Sequence, residues 1–437
     1  MAKRLFLRDV VGVFNSNVFS LICGLLLSVL LTRELGPEGF GLFTSLLVIP
    51  IIVVSITNMG VRGASIYLIG RKKYPEREII STILLMLALS SITGIVISYF
   101  AFKFYDDPQF TMPLIGMVLV VIPFRLGIIY IEGIFIGKDE IRQATRLYWP
   151  INLINLALAA LLVWGMNYDV TGAVLATLLA NVAVSVYAFS RLFRIYMPSF
   201  SINKHVLKDL FLMGILFSAS FFIIQLNYRV DIVLLEKLKG LEEVGLYSLG
   251  VNIGEQLWQI PLAISVILFS RTANLDNPEE MTATTVSLAR ISLIIAVLVS
   301  VVMVVAAPWI IPVVFGEDFA ESVLLLQVVL PGIIIMVIFR VLSGQLAGMG
   351  KPQLAIYIFV PALVLNVALN FLLIPLYGGL GAAIATNISY VFGATGYWII
   401  FARHCGTSYG ELFRFTRQDF LIFREILRKI RKHETTG

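Results

Sequence analysis

A chain of 437 residues that is 59% hydrophobic and only 14% charged is not an ordinary soluble domain, in which about 25% of residues are charged. Its net charge of +6 does not mark a nucleic-acid binder, because the Lys and Arg residues alternate with long apolar runs. Windows of about 20 apolar residues, the length that crosses a bilayer, predict twelve spans. In chain order the first six are Val10–Leu31, Phe40–Tyr67, Ile79–Phe102, Thr111–Ile136, Leu147–Trp164 and Val170–Phe193. The second six are Leu210–Leu235, Val244–Phe269, Val286–Trp309, Val323–Leu342, Leu354–Leu376 and Leu380–Phe401. The first span follows a basic start but no small-residue cleavage site follows it, so it reads as a retained span and not a signal peptide.

With the N-terminus inside, 24 Lys and Arg residues fall on the cytoplasmic side and 4 on the outer side (Arg33, Lys103, Lys237 and Lys239). By the positive-inside rule both termini are expected in the cytoplasm. The two cysteines, Cys23 and Cys405, give no disulfide framework, and Cys405 reads as an ordinary thiol.

The chain repeats itself. LGPEGFGLF (Leu35–Phe43) matches KGLEEVGLY (Lys239–Tyr247) at an offset of 204, and GAVLAT (Gly172–Thr177) matches GAAIAT (Gly381–Thr386) at an offset of 209. Phe124-Arg125 followed by Gly137-Lys138 recurs as Phe339-Arg340 and Gly350-Lys351. These matches pair the second span with the eighth, the fourth with the tenth and the sixth with the twelfth, which predicts two parallel six-helix repeats. Binding sites in such carriers lie between the halves near the midplane. The expected division is an N-terminal lobe (1–193), a cytoplasmic linker with a short interfacial helix (194–209), a C-terminal lobe (210–402) and a tail (403–437). In the tail Phe413, Phe420, Phe423, Leu427 and Ile430 recur near helical spacing beside Arg417, Arg424, Arg428 and Arg431, the pattern of a basic amphipathic helix on an anionic leaflet.

Four segments carry a resemblance to a known family. LTRELGPEGFGLF after the first span resembles the opening signature of Wzx-type oligosaccharide flippases, of the superfamily that also holds lipid II flippases and multidrug (MATE) antiporters. The second half opens on RVDIVLLEKLKGLEEVGLYSLGVNIGEQLWQIP (Arg229–Pro261), which is similar to that family's second-half start. APWIIPVVFGEDFAES (Ala307–Ser322) and LNVALNFLLIPLYGGLGAAIAT (Leu365–Thr386) resemble its later signatures. The resemblance implies an all-α, V-shaped, two-lobed carrier working by alternating access. It also implies a polyprenyl-linked saccharide moved from the inner to the outer leaflet. Two alternatives stay open, a MATE-like ion-coupled drug antiporter and a lipid II-type flippase. Against the latter, the first span offers Asn15, Ser16 and Asn17 where lipid II flippases carry arginine.

The charges inside the spans are Arg62, Arg125, Glu132, Arg229, Asp231, Glu255, Arg290 and Arg340, a net +2. Intramembrane ionisable groups mark functional sites by default, because each needs a partner or water. Arg62, Glu132, Arg290 and Arg340 fall within roughly 10 Å of the cytoplasmic ends at 1.5 Å per residue and could snorkel to the interface. Arg125 and Glu255 lie nearer mid-depth in opposite halves, either as a pair or on the substrate path. Arg125, Arg229, Arg62 and Arg290 are the candidates for a cationic cavity, since guanidinium forks match the oxygens of a pyrophosphate. Glu255, Asp231 and Glu132, the in-span carboxylates, are the candidates for ion coupling or gating. Positions four apart share a helix face, so Gln225 and Arg229 are expected on one side and Asn227 and Asp231 on nearly the opposite one, the latter turned into the second lobe. Most of the remaining in-span amides, among them Asn58, Asn155, Asn366, Asn370 and Asn387, read as ties between helices. Pro123, Pro150, Pro261, Pro331 and Pro361 are candidate kinks.

No Walker motif, metal-ligand cluster or Gly-x-Ser-x-Gly elbow occurs, and all three histidines lie outside the spans, so an enzyme is not expected. No cofactor is expected, with H+, Na+ or the membrane potential as the energy source. The expected partners are an anionic lipid-linked saccharide, membrane lipids and glycosyltransferases or a polymerase, but no nucleic acid, with the chain acting as a monomer in the cytoplasmic membrane.

Overall fold

The computed structural model describes residues 2–414 apart from 71, 72, 106, 139, 148, 197–202, 274 and 276, with side chains from Val18 onward except at 141, 142, 270, 273 and 278. The described chain is helical throughout, and among the described residues no strand occurs. Its long helices are α1 (Ala2–Thr57), α2 (Val61–Gly70), α3 (Glu76–Tyr105), α4 (Met112–Gly137), the short α5 (Ile141–Thr145), α6 (Trp149–Ala159) and α7 (Asp169–Ile195). There follow α8 (Lys204–Lys239), α9 (Leu241–Glu255), α10 (Gln259–Ala273), α11 (Thr282–Phe315), α12 (Ser322–Gly348), α13 (Leu354–Tyr377) and α14 (Gly379–His404). Among the described residues ten stretches are long and apolar enough to cross a membrane.

The breaks differ from those expected. The first two predicted spans lie on one helix, α1, divided at Gly36, whose φ of 63° and ψ of −176° lie outside the helical region. Glycine adopts that conformation without the clash a Cβ would bring, and Pro37 restarts the helix with its φ already set. The predicted second span breaks again at Asn58–Gly60, where Met59 and Gly60 have φ of 48° and 61°. The freed backbone groups are closed locally: Gly60 N–H donates to Asn58 Oδ1 (2.7 Å), and Tyr130 Oη donates to Asn58 O (2.9 Å). The predicted eighth span becomes α9 and α10 around a 3₁₀ turn at Gln256–Trp258, and the fifth ends in a π-helical turn at Ala160–Gly165. No separate interfacial helix lies in the described part of the linker. His205, Val206 and Leu207 form the first turn of α8 instead, because Asn203 caps that helix by accepting from His205 N–H (2.8 Å). The amphipathic pattern from Phe420 to Ile430 lies outside the described residues, while Tyr409–Phe413 form a short 3₁₀ helix.

Helix α8 links the two halves. Near its start Val206 and Leu210 are fully buried in a cluster with Val61, Ala64, Leu68, Ile79 and Ile80 of the first half. Gly214 approaches so closely that a Cβ there would lie 2.0 Å from Met59 O, and one on Gly60 would lie 2.1 Å from Gly214 O. Ser218 Oγ donates to Ile56 O (2.9 Å) in the first half, and Ser220 Oγ to Pro352 O (3.0 Å) in the second. Beside them Lys73 Nζ meets Asp209 Oδ2 at 2.6 Å, and that bond holds the exposed Lys73 ammonium above its ordinary range. Farther along, Tyr228, Ile232 and Leu235 join a second core with α9, α12 and α14.

Pro331 of α12 sits where Asn387 of α14 enters the helix ladder. Gly332 N–H donates to Asn387 Oδ1 (2.6 Å), and Asn387 Nδ2 donates to Val328 O. One amide side chain thus bonds both Val328 O and Gly332 N–H, and a side chain inserted into the helix ladder is a recognised cause of bending. Gly332 is required there, because a Cβ would lie 2.4 Å from Asn387 Oδ1 and 2.9 Å from Asn387 Cα. Gly332→Ala is therefore expected to cost about 1–3 kcal/mol by overpacking, read as a lowered melting temperature of the purified protein in detergent.

Candidate functional site

The predicted in-span charges do not gather at one place. Arg62 of α2 forms a fork with Glu132 of α4, Nε to Oε2 and Nη2 to Oε1 at 2.7 Å each. Glu132 is buried and Arg62 half-exposed, so both lie within the first half. Arg290 is buried and directs Nη1 to Glu411 O (2.9 Å) and to Arg414 O. Its guanidinium thus fastens the 3₁₀ segment after α14 to α11, away from mid-depth. Arg125 is exposed on α4 and lines a small pocket with Leu47, Pro50, Val54, Ile122 and Thr177 of the first half.

Asp231 is buried among neutral donors. Tyr247 Oη and Thr386 Oγ1 (3.0 Å) both donate to its Oδ2, and Ile232 N–H donates to Oδ1 (3.0 Å). One turn earlier, Asn227 exchanges hydrogen bonds with Ser389 (3.1 and 3.2 Å). This face of α8 therefore packs on α9 and α14 inside the second half. Of the amides, Asn155 ties two helices by donating to Thr177 Oγ1 (3.4 Å) between α6 and α7, whereas Asn370 donates to Asn366 Oδ1 (3.0 Å) one turn away within α13.

The other face of α8 carries the densest cluster of ionised and aromatic groups. Glu255 pairs with Arg229 of its own half, Nη2 to Oε2 at 2.9 Å, and not with Arg125. Glu255 ends α9 where the 3₁₀ turn begins, so the helix break sets the carboxylate beside α8. Three residues on, Trp258 is buried and anchored by its Nε1–H to Ile333 O (2.9 Å). Its ring and that of Tyr228 hold the Arg340 guanidinium, with centroids 4.2 and 4.7 Å away, a cation–π geometry worth about 2 kcal/mol when desolvated. Tyr390 completes an aromatic group, 5.7 Å from Tyr228 and 6.0 Å from Trp258.

Arg340 is the residue the sequence reading missed, since its nearness to a helix end marked it for snorkelling. A signal was present, because the internal repeat equates Phe339-Arg340 with Phe124-Arg125. The cluster holds two guanidiniums against one carboxylate. At 1.5 Å per residue, Tyr228 lies roughly 16 Å from the Lys239 end of α8 and Glu255 roughly 21 Å from the start of α9, near the centre of a hydrocarbon core about 30 Å thick. Four of its polar atoms, Tyr228 Oη, Arg229 Nε, Glu255 Oε1 and Arg340 Nε, are buried without a hydrogen-bond partner among the described residues. Native interiors satisfy nearly all such groups, so a cluster of four marks a place for water or a polar ligand.

The all-helical fold is shared with solved membrane transporters. A multidrug resistance MATE family transporter of the MOP superfamily, solved in an inward-facing conformation, superposes with a TM-score of 0.75 at 16% identity, over 91% of this chain and 98% of that one. The lipid II flippase MurJ, in an inward closed conformation, superposes with a TM-score of 0.72 at 15% identity, over 99% and 93%. The chain belongs to the polysaccharide biosynthesis protein family, whose model matches residues 6–269. The lipid II flippase MurJ family model also matches residues 148–426. A putative O-antigen transporter of Shigella flexneri is 24% identical over 412 residues, covering 86% of this chain and 92% of the relative.

Removing one member of the Arg229–Glu255 pair leaves an uncompensated charge. Arg229→Gln is expected to destabilise by about 3 kcal/mol, the low end for breaking a buried pair, because both side chains keep some exposure (21% and 14%). Arg229→Gln with Glu255→Gln should recover most of that loss, as a double-mutant cycle of melting temperatures would show.

Proposed function

We propose that the chain flips a polyprenyl-linked, pyrophosphate-bearing oligosaccharide from the cytoplasmic to the outer leaflet by alternating access, as a transporter and not an enzyme. The observation that carries this reading is the mid-depth group of unsatisfied donors around Arg229 and Arg340. A pyrophosphate supplies the acceptors those guanidiniums lack, and a cleft with net positive walls raises the local concentration of anions. The aromatic rings of Tyr228, Trp258 and Tyr390 offer apolar faces for sugar rings, while the polyprenyl tail stays in the bilayer. Membership of the polysaccharide biosynthesis family supports the same substrate class. Net positive walls oppose a hydrophobic-cation antiporter.

In this reading the chain crosses the cytoplasmic membrane twelve times as two parallel six-helix repeats. Dividing the Val18–Gly70 stretch at Gly36 and adding α14 to the ten apolar stretches supports that number. The charge bias of 24 to 4 supports cytoplasmic termini and sets the end bearing Arg33, Lys237 and Lys239 outside. Glu255, Asp231 and Glu132 are the carboxylates through which H+, Na+ or the membrane potential would act, with no cofactor. The chain works as a monomer, supplied by glycosyltransferases and serving a polymerase. A second reading, a lipid II-type substrate, is favoured by the family match over residues 148–426; it shares the pyrophosphate and differs in the saccharide.

Arg340→Ala and Arg125→Ala, at normal membrane abundance, are each expected to lower complementation of a strain lacking its oligosaccharide flippase at least about tenfold. Arg340→Lys should not restore it, because an ammonium lacks the planar fork. Full activity of Arg340→Ala would remove the cluster from the substrate path.

A further inference from the structure

The end of the bundle bearing Arg33 and Lys237 is closed by two contacts that are copies of one another. Arg33 follows the first predicted span, and Lys237 stands at the same place in the second half, 204 residues later. Arg33 reaches across to the end of α11, donating from Nε to Val314 O (2.8 Å) and from Nη2 to Val313 O. Lys237 reaches the opposite way, to the end of α3, donating from Nζ to Tyr105 O and lying 4.2 Å from the Tyr105 ring centroid. The two helices are the third long membrane helix of each half, and both accept the cation on their last carbonyls. Those carbonyls have no partner within their helices and carry the negative end of the helix dipole, so a cation from the facing half is the complementary group.

The backbones beneath these cations repeat the exchange. A Cβ on Gly41 would lie 1.8 Å from Leu241 O, and one on Gly245 would lie 2.0 Å from Pro37 O. Gly41 and Gly245, like Pro37 and Leu241, are 204 residues apart, so each glycine meets the counterpart of the residue that its own counterpart meets. Phe40 and Phe319 close edge to face across the same seam, 6.1 Å between centroids, and Tyr105 Oη donates to Glu236 Oε2 (2.7 Å).

We propose that Arg33 and Lys237 are a matched pair of outer latches, each holding the opposite half by the C-terminal carbonyls of its third long helix, and that both must release for the cleft to open outward. Their chemistry suits release. Both are exposed cations bonded to neutral carbonyls, contacts that water can replace and that stabilise far less than buried ion pairs. At the Gly41 and Gly245 approaches backbone meets backbone, so few side chains beyond the Phe40–Phe319 ring contact must disengage as the halves part. "Outward" rests on the orientation proposed above; the closure itself does not depend on the substrate.

The test uses full-length protein in right-side-out vesicles, with Cys23→Ala, Cys405→Ala and a reporter Leu47→Cys two turns beyond Gly41. In that background Arg33→Ala with Lys237→Ala is expected to raise labelling by a membrane-impermeant maleimide about tenfold, by enlarging a minor open population. Arg33→Lys with Lys237→Arg should label at the parental rate. An unchanged rate in a double-alanine protein that elutes as a single folded species would overturn the proposal. If that variant does not accumulate, Arg33→Gln with Lys237→Gln, which keep part of each stem, carry the same expectation. Independently, a disulfide between Phe40→Cys and Phe319→Cys should abolish complementation until reductant is added, and transport by the oxidised protein would overturn it too. Labelling reads closure without any substrate, so failure of the transport reading and failure of the latch give different results.

Discussion

A backbone in hydrocarbon has no water to fall back on, so every place where a helix stops or bends must have its freed groups satisfied from within the protein. This constraint organises the molecule. At Asn58–Gly60 the closing groups are the Asn58 amide and the Tyr130 hydroxyl. Beside Pro331 the Asn387 amide bonds the Val328 carbonyl and the Gly332 N–H. Facing halves do the same for each other at the ends of α3 and α11. The polar residues that look anomalous in apolar sequence are largely the parts that make helix irregularity tolerable in a membrane.

Irregularity in turn creates the site. The 3₁₀ turn at Gln256–Trp258 ends α9 at mid-depth and brings Glu255 and Trp258 against α8, so a carboxylate, two guanidiniums and three aromatic rings share one small volume. The contrast with Asp231 is instructive. Two residues from Arg229, it lies on the other face of α8, where three donors satisfy it. Arg229 and its neighbours keep unsatisfied atoms. Two opposite charges in the same apolar sequence thus differ: Asp231 serves internal cohesion on one face, and the Arg229 cluster keeps unsatisfied atoms on the other.

The two ends of the bundle obey different chemistry. Near its start α8 is packed into the first half by Val206, Leu210 and the Gly60–Gly214 approach, and tied by Lys73 to Asp209. The closure at the opposite end relies on exposed cations and glycine backbones. Cys405, beside Lys351 and His404 at the end of α14, is half-buried, and burial raises its thiol above the ordinary range, which fits an unreactive thiol.

Much was legible in the sequence, because hydropathy reflects a force that acts on every residue of a span. Apolar runs marked the helices, and the two faces of Gln225–Asp231 followed from helical spacing alone. The repeat gave the equivalence of Gly41 with Gly245 and of Arg125 with Arg340, although Arg340 was judged by depth instead. Partnership was not legible. Glu255 could have met Arg125 or Arg229, and Arg290 could have faced a cavity, yet the first pairs within its own half and the second binds carbonyls beyond α14. Hydropathy constrains only the distance of a side chain from water. Where a guanidinium points depends on helix rotation and on breaks such as Gln256–Trp258, which contacts between distant segments fix.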